Sequence, residues 1–232
     1  MAITGTDVTE SKDALALCDR YPDNLYATAG VHPHYAKDVD QDFINQLGQL
    51  AQHSKVIAIG ECGLDFNRNF SPPDTQLEVF EKQLSLACDL GLPVFLHERD
   101  AFDEQIRLLK QYRKRLVGGV AHCFTGSLEQ MQGYLELDLF IGVTGWLCDP
   151  KRGSALRDAV AELPLSHVLL ETDAPYLMPK TLKTKNRNNE PANLPHIANT
   201  LAELMKVDSL ALQDQSWLNS CRLFQIEPPS YN

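Results

Sequence analysis

The sequence predicts an α/β protein of the TIM-type (β/α)-barrel class. Seven short apolar runs, each bounded by Gly, Pro or polar residues, start roughly 30 residues apart from the second onward. Helix-period patterns fill the intervals, and most of the histidines stand where the runs end. Strand alternating with helix at this pitch implies βαβ units and a buried parallel sheet.

The runs are Ala2–Thr4, Tyr26–Val31, Val56–Glu61, Pro93–His97, Gly119–His122, Leu139–Thr144 and Val168–Glu171. Between them, Asp42–Ala51 places Phe43, Ile44, Leu47, Leu50 and Ala51 on one stripe, and Thr75–Leu90 does so with Leu77, Phe80, Leu84 and Ala87. Ser71-Pro72-Pro73-Asp74 opens the second of these helices, and Gly91 and Pro93 follow its end. Further helices are predicted over Phe102–Lys114, Leu128–Leu135, Arg152–Leu163 and His196–Met205.

A length of 232 residues suits one large domain, and no linker or low-complexity stretch divides it, so residues 1–232 read as a single barrel. A closed barrel of this class has eight strands. Seven are found, the first starting at residue 2, so the expectation is a chain short of one βα unit at its front. Such a monomer would expose strand edges, through which copies could associate.

The net charge of −10 excludes a protein that coats nucleic acid by bulk charge. It leaves room for an enzyme that grips a phosphodiester locally, and acidic metal ligands would add to the deficit. There is no run long enough to span a membrane and no secretory layout at the N-terminus, so a cytoplasmic location is expected. The six cysteines form no C-x-x-C pair and read as reduced, packed thiols.

Barrel active sites lie at the carboxyl ends of the strands. Of seven histidines, His32, His34, His97 and His122 fall at such ends, and Glu61 and Asp173 stand at equivalent places. Any one of them alone is more simply a hydrogen-bonded structural residue. Together they form a mixed N/O set suited to Zn²⁺, Mn²⁺ or Mg²⁺, and to hydrolysis rather than redox chemistry. Neither a dinucleotide fingerprint nor a P-loop is present. Arg68 and the segment from Lys180 through Lys183, Lys185 and Arg187 to Asn189 are candidate phosphate contacts, with a solvated loop as the plainer reading of that segment. Trp146 is a candidate base-stacking residue or a plug of the mouth.

Five ordered motifs carry a resemblance. Gly30-Val31-His32-Pro33-His34, Ile59 to Phe66, His122-Cys123-Phe124-Thr125-Gly126, Glu171 to Leu177 and Asn189-Glu190-Pro191 resemble the TatD family, metal-dependent deoxyribonucleases of the amidohydrolase-like barrel superfamily. Asp65-Phe66-Asn67-Arg68 and Gly145-Trp146-Leu147-Cys148 bring the chain nearest the branch that gives the family its name. The resemblance implies that Glu61, His97, His122 and Asp173 bind metal, with Asp173 beside the attacking water. It implies that His32 and His34 face the scissile phosphate and that Glu171 supports the ligands from behind. The implied activity is Mg²⁺- or Mn²⁺-dependent hydrolysis of single-stranded DNA from the 3′ end by one or two ions, with Zn²⁺ as a further candidate and RNA as a second substrate. The competing readings are a hydrolase of another ester or amide, and an inactive, truncated barrel.

Overall fold

The computed structural model describes residues 1–227. The chain divides into two compact units, Met1–Val120 and the remainder from Ala121 onward.

The first unit contains β1 (Ala2–Ile3), α1 (Val8–Arg20), β2 (Tyr26–Ala29), α2 (Phe43–Leu50), β3 (Val56–Asp65), α3 (Pro73–Leu90), β4 (Val94–Arg99) and α4 (Phe102–Tyr112). Its four strands are parallel neighbours in chain order. All ten residues of β3 are buried, as a strand with both faces covered requires. Helix α1 is capped by Asp7, whose side chain accepts the Glu10 N–H. Helix α3 begins at the Pro72-Pro73 pair and stops at Gly91, in the left-handed conformation.

Three buried glutamines fix the strand ends that carry the candidate site. Gln83 of α3 accepts the Val31 N–H at 2.7 Å and donates to the Val31 carbonyl at 3.0 Å. Gln76 does the same for Asp65, at 2.8 and 3.1 Å, and Gln105 of α4 accepts the Leu64 N–H at 3.1 Å. A missing partner for a buried backbone group costs roughly 1–3 kcal/mol, so each amide holds its strand end in place.

Strand β5 (Gly119–Ala121) straddles the division between the units. The second unit contains α5 (Leu128–Leu135), β6 (Phe140–Val143), α6 (Ser154–Val160), β7 (Val168–Leu170), α7 (Leu194–Met205) and α8 (Ser209–Phe224). Strands β6 and β7 pair in parallel. A reciprocal Ser127–Gln130 capping box opens α5, and Asp208 caps α8.

All seven apolar runs are strands, with three differences from the expected pattern. Strand β3 continues four residues past Glu61, which therefore sits within the strand. Gly60 and Gly63, with φ of 143° and 142°, permit the extension, and the β3–β4 register shifts between Gly60 and Cys62. Helix α6 starts at Ser154, so Arg152 lies in the loop before it. Helices α1 and α8 have no wide apolar stripe. They bury Ser11, Ala14, Leu15 and Cys18, and Leu212, Ser216, Asn219, Cys221 and Leu223.

Gly63 is a point of close approach as well as unusual backbone. A Cβ there would lie 1.9 Å from the His97 carbonyl oxygen. Gly63→Ala is expected to destabilise the chain by roughly 3 kcal/mol or more and to push β4, with His97, away from β3. Thermal unfolding checks this, and an unchanged Tm would contradict it.

The six cysteines are unbridged. Among the described residues, no helix is long and apolar enough to cross a membrane.

Candidate metal centre and catalytic residues

In the first unit, His32, Glu61 and His97 offer ligand atoms that all lie within 4.8 Å of one another. They come from the loop after β2, from β3 and from β4. The His97 Nδ1–H donates to Glu61 Oε1 at 3.0 Å, and His32 Nε2 lies 3.6 Å from the same oxygen. His97 Nε2 is buried and has no hydrogen-bond partner among the described residues. It forms a long ion pair with Asp65 Oδ2, 3.4 Å away. This nitrogen holds only that long ion pair, and in a His32–Glu61–His97 group whose ligand atoms all lie within 4.8 Å of one another a divalent cation would take the place of its proton. The donor set therefore fits a metal.

The two histidines differ electrically. Burial alone would lower the His97 pKa, but Asp65 and Glu61 outweigh it and raise it to about 9. His32 is lowered to about 3, first by burial and then by the neighbouring His97 charge. Its Nδ1 accepts the His34 backbone N–H at 3.1 Å, so the proton of the neutral ring sits on Nε2. In this geometry His32 is a neutral donor.

His34 donates from Nε2 to Asp65 Oδ2 at 2.7 Å. Asp65 is fully buried and also accepts the Arg68 N–H at 2.7 Å. Burial would raise its pKa, yet the His97, Arg68 and His34 contacts hold the carboxyl well below the usual range. Sequence reasoning gave Asp65 no role. The sequence showed its place in a motif, but not that β3 would run on to it and turn it toward two histidines. The Arg68 side chain is exposed and lies over the Phe70 ring, 5.9 Å from its centroid.

The second unit brings His122, Glu171 and Asp173 together. The His122 Nδ1–H donates to Glu171 Oε2 at 2.9 Å, and His122 Nε2 is 3.4 Å from Asp173 Oδ1. Glu171 also accepts the Cys123 N–H at 2.9 Å. A carboxylate behind Nδ1 fixes the tautomer and turns the Nε2 lone pair outward, the usual support for a metal-binding histidine. Gly142 makes room for that carboxylate, since a Cβ there would come within 2.3 Å of it. Asp173 adopts a left-handed φ of 57°, which Asp tolerates better than most residues, and its side chain is 30% exposed.

The remaining candidates separate. Lys185 and Arg187 are exposed on the loop after β7. Asn189 is buried: its amide donates to the Thr172 carbonyl at 2.7 Å and its oxygen accepts from Glu190 N and Asn193 Nδ2, both at 2.9 Å. Those bonds commit the side chain to shaping the loop beyond Asp173. The Cys62 and Cys123 thiols are both pushed up by burial, Cys123 to about 12, so neither is a nucleophile.

Comparison with known proteins identifies the family. The model of the family described as TatD related DNase matches residues 1–225. The chain is 49% identical over 228 residues to the 3′-5′ ssDNA/RNA exonuclease TatD of Rahnella sp. (strain Y9602), covering 97% of this chain and 87% of that protein. It is 46% identical over 228 residues to the protein of the same name from Erwinia tasmaniensis, covering 97% of this chain and 88% of that protein. The crystal structure of YJJV, a TatD homologue from Escherichia coli K12, superposes with a TM-score of 0.88 at 33% identity, covering 97% of this chain and 86% of that one. The likeness bears out the (β/α)-barrel fold class expected from the alternating strands and helices. The chain belongs to the TatD related DNase family, hydrolases of phosphodiester bonds.

Proposed function

We propose that the chain is a metal-dependent 3′–5′ exonuclease acting on single-stranded DNA, with RNA as an additional substrate. The observation that carries the reading is the His32–Glu61–His97 group, whose ligand atoms all lie within 4.8 Å of one another. The names of the relatives supply the substrate class and polarity.

In this proposal Glu61 and His97 of the first unit, and His122 and Asp173 of the second, are the metal-binding residues, with Mg²⁺ or Mn²⁺ as the ions and Zn²⁺ as the third candidate. When bound, a divalent ion polarises the phosphate and eases deprotonation of water. Asp173 takes the proton of the attacking water. The neutral His32 donates its Nε2–H to a non-bridging phosphate oxygen, and His34, fixed by Asp65, donates to the same group. Glu171 keeps His122 in its ligating tautomer. Arg68, Lys185 and Arg187 are the proposed contacts to the strand, and Asn189 holds the loop that presents the last two. Six unbridged cysteines suit the reducing cytoplasm, and the proposed working form is the monomer.

Because His97 must lose its proton to bind a metal, apparent affinity should rise about tenfold per pH unit from pH 7 to 9 and level off above its raised pKa. Calorimetric Mn²⁺ titrations across that range, in buffers of different ionisation enthalpy, should show about one proton released at pH 7. Affinity independent of pH would contradict the assignment.

A substrate panel tests the function itself. Single-stranded DNA, single-stranded RNA, duplex DNA, a simple aryl ester and a dipeptide are assayed with Mg²⁺ and with Mn²⁺. Hydrolysis confined to nucleic acid, fastest on single strands, is expected. Ester or amide turnover without nucleic-acid cleavage would overturn the reading.

A further inference from the structure

The loop after β6 builds a second feature beside the His122–Glu171–Asp173 group, within the same unit. The Cys123 thiol, next to His122, lies 3.3 Å from Thr144 Oγ1, and that hydroxyl accepts the Trp146 N–H at 3.4 Å. Gly145 allows the loop to pass close to the Leu177 carbonyl, which a Cβ would approach to 2.2 Å. The Arg152 guanidinium stacks over the Trp146 ring, 4.3 Å from its centroid. Asp149 pins that guanidinium: its Oδ2 accepts from Arg152 Nε at 2.6 Å and pairs with Lys180 Nζ at 2.7 Å. Its other oxygen accepts the backbone N–H groups of Lys151 and Arg152.

The balance of exposure is uneven. Asp149 is only 3% exposed, whereas Arg152 and Lys180 are 54% and 53% exposed. One buried carboxylate therefore holds two cations whose remaining donors face outward, a local excess of one positive charge in a chain of net −10. Each cation keeps about half of its side-chain surface exposed while paired to Asp149, so it can meet an anionic ligand without giving up that pair. The Trp146 Nε1–H is also buried with no partner among the described residues. Pre-set cations beside an indole are what a sugar-phosphate strand with splayed bases requires.

We propose that Trp146, Arg152 and Lys180, held by Asp149, form a nucleotide-binding subsite that grips one phosphate of the single strand while its base stacks on the guanidinium–indole pair. The proposal rests on the exonuclease reading above and extends it to residues that fix the strand, leaving the reacting groups as assigned. Lys180 opens the exposed stretch that includes Lys183, Lys185 and Arg187, so the strand would continue along that loop.

Binding is measured with chelator present, so that it does not depend on a loaded metal site. A Trp217→Phe background leaves Trp146 as the sole tryptophan reporter, and the probe is a short oligothymidylate. The oligonucleotide should quench Trp146 emission. Arg152→Ala should weaken binding about tenfold and reduce the slope of log K against log salt by about 0.7. Lys180→Ala should reduce the slope similarly, with a smaller loss of affinity. Arg152→Lys should restore the slope but not the full affinity, because an ammonium does not stack as a guanidinium does. In metal-dependent cleavage, Arg152→Ala should raise KM about tenfold and change kcat less than twofold. Arg107→Ala, an exposed change on α4, controls for loss of charge alone. Wild-type KM, affinity and salt slope in both Arg152→Ala and Lys180→Ala would overturn the subsite while leaving the exonuclease reading intact. A wild-type chain that neither binds nor cleaves nucleic acid would overturn the exonuclease reading and the subsite with it.

Discussion

Glu61→Gln is expected to lower kcat/KM on single-stranded DNA by about 10³-fold or more, equivalent to about 4 kcal/mol of transition-state stabilisation. The side chain is nearly the same size and the site lies within β3, so the fold should persist. The substitution removes the charge that faces both His97 Nδ1, at 3.0 Å, and His32 Nε2, at 3.6 Å. Metal affinity should fall with activity, because an amide oxygen is a poorer ligand for a hard divalent cation than a carboxylate. Single-turnover cleavage at saturating Mn²⁺ separates the two losses. A rate within tenfold of wild type would mean that Glu61 is structural.

Asp65→Ala should affect stability as much as activity. It removes a buried carboxylate that fixes His34, faces His97 and accepts the Arg68 N–H. Roughly 2–4 kcal/mol of stability should be lost near pH 6, the range for breaking a buried charged contact with partial relaxation. The pH dependence has a definite sign. The Asp65 pKa is depressed, so its contribution is present above the unfolded value near 4 and lost as pH falls through the folded value. The His97 pKa is raised, so its contribution is complete below about 6.5 and lost as pH rises through about 9. In the metal-free chain the difference between wild type and Asp65→Ala should therefore be greatest between about pH 4 and 6.5 and smaller at pH 9. Urea unfolding at pH 6 and pH 9 measures it. An equal difference at both would show that the His97 charge does not depend on Asp65.

Most strands were legible because their residues are buried on both faces. Val56–Ile59 and Val168–Leu169 are buried, continuous apolar runs, as a covered parallel strand requires. Helices α1 and α8 were hidden because part of what they bury is polar or small. Ser11, Ser216 and Asn219 are buried through hydrogen bonds, as in the Asn219 amide to the Leu165 and Val168 carbonyls, and periodicity methods do not register such positions. The length of β3 was hidden too. Its second half depends on Gly60 and Gly63 at positive φ, and glycine in a strand pattern signals a bulge as readily as a continuation.

For the candidate site, histidines at strand ends pointed to a mixed N/O ligand set, and the fold brings ligand atoms of His32, Glu61 and His97 within 4.8 Å of one another. The resemblance, rather than any spacing, pointed to Glu171, and its bond to His122 Nδ1 is the contact that such a supporting role would use. Asp65 and Asp149 were silent because a buried acid is recognised by what surrounds it. Their partners lie on other elements or across a loop: His34 and His97 for one, Arg152 and Lys180 for the other.

The proposed mechanism meets its most direct test in the cleavage of 3′- and 5′-labelled single-stranded DNA by the purified chain with Mg²⁺, with Mn²⁺ and with chelator, beside Asp173→Asn. Metal-driven exonuclease action requires early, stepwise release of the 3′ label, none with chelator, and a rate lower by orders of magnitude in the variant. Cleavage that persists in chelator, or that matches wild type in Asp173→Asn, would contradict it.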